Sequence, residues 1–404
     1  MTQPKLSTRG LTAPASPIRR LMPYADQARA RGVHVHHLNI GQPDLPTPKV
    51  MIDAYRNFDH TTLAYSPSQG IRAYREALAD FYNGLGFDAG GGAIDPDQIM
   101  VTVGGSEALL FAFASICDAG DEVVVPEPYY TNYAGFSHVL GVKVRPVLTK
   151  GEDNFAVDPQ AVAAACTDKT RALVLPSPGN PTGAVLDRAT LEALGKICME
   201  RGMFFIVDEV YREFVYNGAG RSPSVLEIPE LAQCAVMVDS VSKRYSACGA
   251  RIGCLVTRNA DLYATALKFA QARLSPPTVD QLAAQAALST PASWLTDAVS
   301  TYRERRDVLV NGLNSIPGVR CAMPQGAFYF MADLPVDDTE DFCIFMLSQF
   351  DLGGETVMFA PGEGFYATEG LGCSQVRVAY VLEVEKLKRC VEILRAGLEA
   401  YKSR

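Results

Sequence analysis

The stretch QIMVTVGGSEALLFAFASICDAG, residues 98–120, contains the unit from which the fold can be predicted. It begins with QIMVTV, a short apolar run that is typical of a strand buried on both faces. Two glycines follow, and the residues after them, Ser106–Gly120, have the pattern of a buried helix that ends at glycine. A buried strand that turns directly into a helix is the first half of a βαβ unit.

The same pattern recurs along the chain. An amphipathic helix is predicted at Gln69–Gly86, and further apolar runs lie in the segments DEVVVPEPYY, RALVLPSPGNPTG, MFFIVDEVY and CAVMVDSVSK. Short strands separated by helical patterns predict βαβ units, and therefore a largely parallel sheet with helices on both faces. The predicted fold class is α/β of the doubly wound kind.

The pattern changes after Pro291. A charged helix is predicted at Thr301–Ile316, followed by the short strands GAFYFMADL and QVRVAYV and by a final helix. We therefore expect three parts, which are an N-terminal segment that packs with the small domain (residues 1–50), a large ligand-binding domain (residues 51–291) and a smaller α+β domain (residues 292–404).

Composition excludes several classes of function. The chain has 404 residues, a net charge of −8 and no run of basic residues, so a nucleic acid or an anionic membrane surface is not an expected partner. It contains no run of about 18 apolar residues, and its first residues lack the apolar region that export requires. The ten cysteines form no CxxC pair, which indicates reduced thiols in a cytoplasmic protein.

Ligands of an open parallel sheet bind outside the carboxyl ends of its strands, so the residues that follow each strand are the candidates for a site. After IMVTV come Gly104, Gly105 and Ser106, and then a helix. The glycines let the backbone approach a ligand closely, and a helix N-terminus offers free amide hydrogens to an anion. This pattern indicates a phosphate site. The alternative is a tight turn in which Ser106 is the N-cap.

Three more strand ends carry polar or aromatic residues. Tyr129 and Tyr130 could cover a flat ligand, although packing in the core would also explain them. Asn180 could donate its amide to a ligand oxygen, or it could belong to a plain Asn-Pro turn. Asp208 directly follows five apolar residues, and a carboxylate buried there requires a positive partner unless it caps a helix.

The last strand end is the segment SVSKRYSACGARIG, Ser240–Gly253, in which Lys243 stands among small and hydroxyl residues and Arg251 follows. A buried lysine with a lowered pKa is a nucleophile toward an aldehyde. A flat phosphorylated aldehyde would use the phosphate site, an aromatic ring for stacking, and a carboxylate that keeps its ring nitrogen protonated. Pyridoxal phosphate is such a molecule. We therefore expect Lys243 to bind it covalently and, as a free amine, to move the substrate Cα proton.

These residues occur in an order that resembles the fold-type I pyridoxal-phosphate aminotransferases of class I/II, which are aspartate aminotransferase-like. The resemblance extends from Ile40 to the last helix. The matched pieces are the Gly41-x-Pro43 turn, Tyr65, GGS at Gly104–Ser106, the Pro-x-Tyr turn, NPTG at Asn180–Gly183, DEVY at Asp208–Tyr211, SxSK ending at Lys243, Arg251, and VRVAY containing Arg377.

The resemblance implies a role for each matched residue. As catalytic residues, Lys243 would carry the cofactor and shuttle the proton, Asp208 would pair with the ring nitrogen, and Tyr211 would bond the phenolate oxygen. Asn180 would share that oxygen and contact the substrate. The remaining cofactor contacts would come from Gly104, Gly105, Ser106, Tyr130, Ser240, Ser242 and Arg251, and from Tyr65 of the neighbouring subunit. The substrate would contact Gly41, Arg273 and Arg377, and the planar guanidinium of Arg377 would clamp the α-carboxylate.

Members of this family are typically homodimers with active sites at the interface, so a homodimer is expected. We expect amino-group transfer from an L-amino acid, aspartate, to a 2-oxo acid, 2-oxoglutarate. An acidic substrate needs a second cation, which Arg273, Arg19 or Arg20 could supply, although each could equally be a solvated surface residue. An aminotransferase for alanine, aromatic or diaminopimelate substrates, or a lyase on the same fold, is the alternative.

Three other classes are not expected. His34, His36 and His37 could suggest a metal site, but no carboxylate or cysteine lies close by, so a short edge strand without metal is predicted. Aminotransferase-like sensors in transcription regulators carry an N-terminal DNA-binding domain, and only about fifty residues precede the large domain here. The GxGxxG pattern of dinucleotide oxidoreductases follows none of the strands.

Overall fold

The computed structural model describes residues 3–59 and 61–404. Its strands are β1 (His34–His37), β2 (Ile99–Thr102), β3 (Glu122–Glu127), β4 (Lys143–Leu148), β5 (Thr170–Pro176), β6 (Phe204–Asp208), β7 (Ala235–Ser240), β8 (Gly253–Val256), β9 (Arg320–Cys321), β10 (Tyr329–Asp333), β11 (Glu355–Met358), β12 (Ala360–Pro361) and β13 (Gln375–Ala379). Its α-helices are α1 (Thr8–Leu11), α2 (Met22–Ala30), α3 (Lys49–Arg56), α4 (Arg72–Gly84), α5 (Gly104–Ile116), α6 (Asn132–Leu140), α7 (Pro159–Ala165), α8 (Arg188–Glu200), α9 (Val241–Arg244), α10 (Ala260–Arg273), α11 (Thr278–Ala287), α12 (Ala292–Asn314), α13 (Thr339–Ser348) and α14 (Val384–Lys402).

The central sheet has the strand order β2-β8-β7-β6-β5-β3-β4. Its strands are parallel except for β8, which runs antiparallel to β2 and β7. The predicted α/β class with a mostly parallel sheet is confirmed, whereas the antiparallel β8 was not predicted. The valines of β3 show why such runs form the sheet. Val123 and Val125 pack into the core on one face, and Val124 packs into the core on the other, as expected for a strand covered on both faces.

The predicted helices are present, but some begin or end elsewhere. Helix α5 begins at Gly104 with Val103 as its N-cap residue, so the alternative in which Ser106 caps the helix is wrong. Helix α12 begins directly after Pro291, nine residues before the predicted start at Thr301. The residues 292–300 contain one acidic and no basic residue, so the charge pattern that indicated the helix begins later than the helix itself.

A second sheet, with the order β12-β13-β10-β9, is antiparallel. Strand β1 pairs in parallel with β11, which places the N-terminal residues 34–37 beside the C-terminal part of the chain. The division into residues 1–50, 51–291 and 292–404 stays a prediction. Among the residues that the structure describes, no helix is long and apolar enough to cross a membrane.

The strand ends meet where the prediction placed them. Strands β5, β6 and β7 are parallel neighbours and end at Pro176, Asp208 and Ser240, so the segments that follow them lie along one edge of the sheet. Strand β13 of the second sheet contributes to the same place, because Arg377 donates from Nη1 to the Oδ1 of Asn180 at 3.1 Å.

Candidate active site

The amine of Lys243 lies at the start of a short helix. Ser240 ends β7 and caps α9, because its hydroxyl accepts a hydrogen bond from the Ser242 amide at 3.1 Å. This cap turns the chain sharply after the strand and directs Lys243 to the end of the sheet. The Lys243 Nζ donates to the carbonyl oxygen of Gly41 at 2.9 Å, and the Sγ of Cys248 lies 3.7 Å away.

The predicted phosphate site joins the N-terminus of α5 to Arg251. A Cβ on Gly104, whose φ is +72°, would lie 2.6 Å from the Nη2 of Arg251, so glycine is required for the guanidinium to lie against the start of the helix. Arg251 has a φ of +54°, and its Nη1 donates to the Cys248 carbonyl at 3.1 Å. Gly105 and Ser106 continue the first turn, where backbone amides point outward. The Ser240 hydroxyl lies 2.8 Å from that of Ser242.

Asp208 is a buried acid at the end of β6. Tyr133 donates to its Oδ2 at 3.2 Å, and the Val210 amide donates to its Oδ1 at 3.4 Å. Burial raises the pKa of the carboxyl to about 6, since these hydrogen bonds and the charge of Lys243 only partly compensate for the loss of water. A cation placed beside Asp208 would therefore be strongly favoured.

Two further predicted residues, Tyr211 and Tyr130, lie beside this acid and amine, and a third does not. The hydroxyl of Tyr211 is buried and donates to the hydroxyl of Tyr329 at 2.9 Å, and burial raises its pKa well above the ordinary value. Tyr130 is half-buried and meets Tyr133 edge to face, with ring centroids 5.6 Å apart. Tyr129, by contrast, packs in the core below, so core packing explains it.

Arg377 is a fully buried cation that meets no carboxylate among the residues that the structure describes. Its Nη1 bonds the side-chain oxygen of Asn180, its Nη2 donates to the Asn39 carbonyl at 2.5 Å, and its Nε has no hydrogen-bond partner among the described residues. The guanidinium carbon lies 4.4 Å from the ring centre of Tyr329 and 5.1 Å from that of Phe365. Burial lowers its pKa, so an anion that reached this guanidinium would restore a partner to a desolvated charge.

The site and the fold agree with comparisons across known proteins. Residues 33–394 match the family model of aminotransferase class I and II. The chain is 33% identical to the aspartate/prephenate aminotransferase of Thermus thermophilus over 91% of each chain, and 35% identical to an arginine–pyruvate transaminase of Pseudomonas aeruginosa over 75% of this chain and 76% of that one. The solved structure of Thermus thermophilus aspartate aminotransferase with maleate superposes with a TM-score of 0.87, at 31% identity, over 98% of this chain and all of the other.

The chain belongs to the class I and II aminotransferases. It is a pyridoxal-phosphate-dependent enzyme that transfers amino groups, as the sequence predicted. The residues present fit this cofactor. The helix start under Arg251 suits a phosphate, the buried acid Asp208 requires a cation such as a protonated ring nitrogen, and the amine of Lys243 hydrogen-bonds a carbonyl and a thiol and no carboxylate among the described residues.

Sequence reasoning missed three residues of the aminotransferase site. Tyr329 was recognised only as part of the strand GAFYFMADL, and its direction depends on the pairing of β10 with β13. Asn39 contributes its backbone oxygen, and because every residue has one, the residue type gives no indication of this role. Tyr133 lies three positions after Tyr130, on the next turn of chain, and that helical spacing was the available signal.

Several predicted residues lie outside this cluster. Tyr65 has 80% of its surface exposed in the single chain. The Nε of Arg273 lies 3.2 Å from Glu107, and Arg20 pairs with Glu340 at 2.6 Å, so both guanidiniums already face a carboxylate. The statement that no carboxylate lies near the histidines is wrong, because the pairing of β1 with β11 brings Glu355 to within 3.0 Å of His36.

Proposed function

We propose that this aminotransferase takes its amino group from L-aspartate and gives it to 2-oxoglutarate, and that it acts as a homodimer. The assignment of aspartate as the donor rests on a single observation, the similarity to aspartate aminotransferases along nearly the whole chain. That likeness is close to 30% in identity, and an alanine aminotransferase from Pyrococcus furiosus is equally similar in fold, with a TM-score of 0.88. The substrate therefore has to be tested directly.

The residues divide the chemistry between them. Bound pyridoxal phosphate supplies an electron-withdrawing ring that acidifies the Cα proton of an attached amino acid. Asp208 holds the ring nitrogen in its protonated form, since the ion pair relieves the burial of the carboxylate. Lys243, once its amine is free, would take up the proton of the substrate Cα as a general base. Tyr211 and Asn180 hold the phenolic oxygen of the ring.

The anionic groups have separate binding residues. Gly104, Gly105 and Ser106 at the start of α5, together with Arg251, hold the phosphate through backbone amides and one guanidinium. Ser240 and Ser242 supply hydroxyls beside it. Arg377 binds the α-carboxylate of the substrate, because among the described residues it meets no carboxylate and its terminal nitrogens bond neutral oxygens. Gly41 lies beside the amine and completes the substrate site.

The partner subunit completes the site in this proposal. Tyr65 and Leu63 are exposed over 80% and 71% of their surfaces, although aromatic and leucine side chains of this size are usually covered. A second copy of the chain that covers this segment would bring Tyr65 to the phosphate of the neighbouring site. A cytoplasmic location, which the cysteines indicated, stays a prediction.

The distal carboxylate of aspartate needs one more cation, and Arg19 is the best placed of the three candidates. Its guanidinium is exposed and forms no ion pair with the carboxylates that the structure describes, unlike Arg20 and Arg273. Two hydrogen bonds link its neighbour Ile18 to Arg377. The Ile18 carbonyl accepts from the Asn39 side chain, and the Asn39 carbonyl accepts from Arg377. We assign the distal carboxylate to Arg19.

A panel of amino donors tests the substrate. Purified protein with pyridoxal phosphate is assayed against aspartate, alanine, arginine and phenylalanine with 2-oxoglutarate as acceptor, and we expect the highest kcat/KM for aspartate. Unmeasurable turnover of aspartate beside good turnover of another donor would overturn the assignment. Mixing the enzyme with aspartate alone separates transfer from elimination, because transfer yields one equivalent of 2-oxo acid and then stops.

A further inference from the structure

Tyr329 connects the amine of Lys243 to Arg377, the residue proposed to bind the substrate α-carboxylate. It is buried in β10, and its hydroxyl accepts from Tyr211 at 2.9 Å and donates to the Gly41 carbonyl at 3.3 Å. Lys243 donates to the same carbonyl at 2.9 Å. A chain of hydrogen bonds therefore extends from Tyr211 through Tyr329 to the oxygen on which the free amine of Lys243 rests.

The ring of Tyr329 performs a second task. Arg377 stacks over it, with the guanidinium carbon 4.4 Å from the ring centre. Because the hydrogen bonds of Arg377 among the described residues go to two neutral oxygens, this ring, the nearer of the two aromatic rings beside the guanidinium, helps to fix its plane. A fixed plane is what bidentate recognition of a carboxylate requires.

Packing fixes the position of the hydroxyl. A Cβ on Gly41 would overlap the Tyr329 hydroxyl, so the glycine lets the tyrosine lie directly against the backbone. Tyr211 meets the ring of Tyr329 edge to face, with centroids 5.8 Å apart and planes at 85°. The hydroxyl is thus confined by its neighbours and cannot leave the Gly41 carbonyl without displacing one of them.

We propose that Tyr329 is a positioning residue with two separable roles, an inference that rests on the proposed roles of Lys243 and Arg377. Its hydroxyl holds the Gly41 carbonyl in place as the resting site of the Lys243 amine, and its ring sets the plane of Arg377. A hydroxyl has one proton, so when Tyr211 donates to a ligand oxygen it no longer donates to Tyr329. The Tyr329 hydroxyl still donates its proton to a hydrogen bond with the Gly41 carbonyl, and the released amine of Lys243 returns to the same oxygen.

The test separates the hydroxyl from the ring. Tyr329→Phe keeps the ring, Tyr329→Leu removes both, and Tyr216→Phe is the control, since that buried hydroxyl donates to the Ala327 carbonyl, at 2.5 Å, and lies beside the hydroxyl of Tyr380. Two quantities are measured, the rate at which the visible absorbance band appears when pyridoxal phosphate is added to cofactor-free protein, and kcat and KM for the amino donor. We expect Tyr329→Phe to slow band formation about tenfold with KM within about twofold of wild type.

Tyr329→Leu should slow band formation as much and also raise KM about tenfold, because the stacking on Arg377 is lost. The control should change neither quantity. A Tyr329→Phe protein with the wild-type rate, or a Tyr329→Leu protein with the wild-type KM, would overturn the corresponding role. If Tyr329→Leu does not fold, Tyr329→Met replaces it in the test of the ring, and an unchanged KM in that variant refutes the role of the ring. Gly41→Ala tests the hydroxyl a second time, because its methyl group displaces the hydroxyl, and an unchanged rate in that variant refutes the role of the hydroxyl. A wild-type protein that forms no visible band refutes the proposed function instead.

Discussion

Arg212 and Arg377 are both fully buried guanidiniums, yet their surroundings are opposite. Arg212 bonds Glu209 at 3.2 Å, Glu213 at 3.0 Å and Asp239 at 2.8 Å. Arg377 meets no carboxylate among the described residues, where its hydrogen bonds go to neutral oxygens; the Nε of either arginine has no hydrogen-bond partner there, so the counter-ions are what differs. The counter-ions of Arg212 are carboxylates of the protein, whereas Arg377 would obtain its counter-ion from a ligand.

The same contrast separates neighbours in the sequence. Arg244 directly follows Lys243, but it joins Arg212 in the buried network, where it bonds Glu213 at 2.9 Å and also Asp239. Burial alone would raise the pKa of Asp239, and the two guanidiniums hold it well below its usual range instead. At Asp208, without a guanidinium, burial prevails and raises the pKa. Paired charges in this protein stabilise the fold, and incompletely paired charges mark the site.

Lys243→Ala should produce the largest loss of activity and almost no loss of stability. The amine serves the cofactor and bonds only the Gly41 carbonyl and a thiol, so the fold does not depend on it. We expect kcat to fall by about 10⁴-fold or more, with the urea midpoint of the cofactor-free protein unchanged. A cofactor bond in this variant that borohydride still reduces would refute the assignment.

Arg212→Met should have the opposite effect on stability and lower the free energy of unfolding. It leaves Glu213 and Asp239 with Arg244, and Glu209 without a guanidinium among the described residues, and breaking a buried network in this way costs about 3–5 kcal/mol of unfolding free energy. Arg377→Met is the matched comparison. It removes a buried charge without a counter-ion, so the cofactor-free protein should be as stable as wild type or more so, while kcat/KM falls about a hundredfold or more. Equal destabilisation by both changes, measured by urea unfolding, would contradict the contrast.

The contrast also shows what the sequence could reveal. Lys243, Asp208 and Arg377 were found because each closes or interrupts a strand pattern in an order shared by a family. The buried network was not found, because its members stand at the ends of β6 and β7 and meet only once those strands lie side by side. The residues around Glu213 in the sequence do not indicate that its carboxylate is buried. Tyr329 escaped for the same reason, since it reaches the site from the second sheet.

Asp208→Asn should remove one pH dependence of the cofactor-free protein, the one that comes from the buried acid of the site. Because burial raises the folded pKa of Asp208 to about 6, the folded protein binds more protons than the unfolded chain between about pH 4 and 6. Unfolding free energy of the cofactor-free protein therefore falls over this range, by about 3 kcal/mol from this residue, and stays constant above it.

Urea unfolding of wild type and Asp208→Asn from pH 4 to 8 measures this contribution as a difference. The difference isolates Asp208, because burial also raises the pKa of Glu209 to about 7 and that carboxyl titrates in both proteins. We expect the variant to gain stability relative to wild type as the pH rises to about 6. Parallel curves would show that Asp208 keeps an ordinary pKa and would remove the reason to place a ring cation beside it.

Arg19→Gln and Arg273→Gln should give the smallest effects, and they distinguish two of the three candidates for binding the distal carboxylate. Arg273 faces Glu107 at 3.2 Å and also donates to the Val101 carbonyl at 3.3 Å, so its charge is already engaged and its loss should change KM for aspartate by less than about twofold. Arg19 is exposed and next to the residue that Asn39 ties to Arg377, so its loss should raise KM for aspartate about tenfold. Alanine has no distal carboxylate and serves as the control donor, whose KM should be the same in both variants. The opposite order of effects would move the distal site to Arg273, and would mean that an arginine paired in the single chain exchanges Glu107 for the substrate.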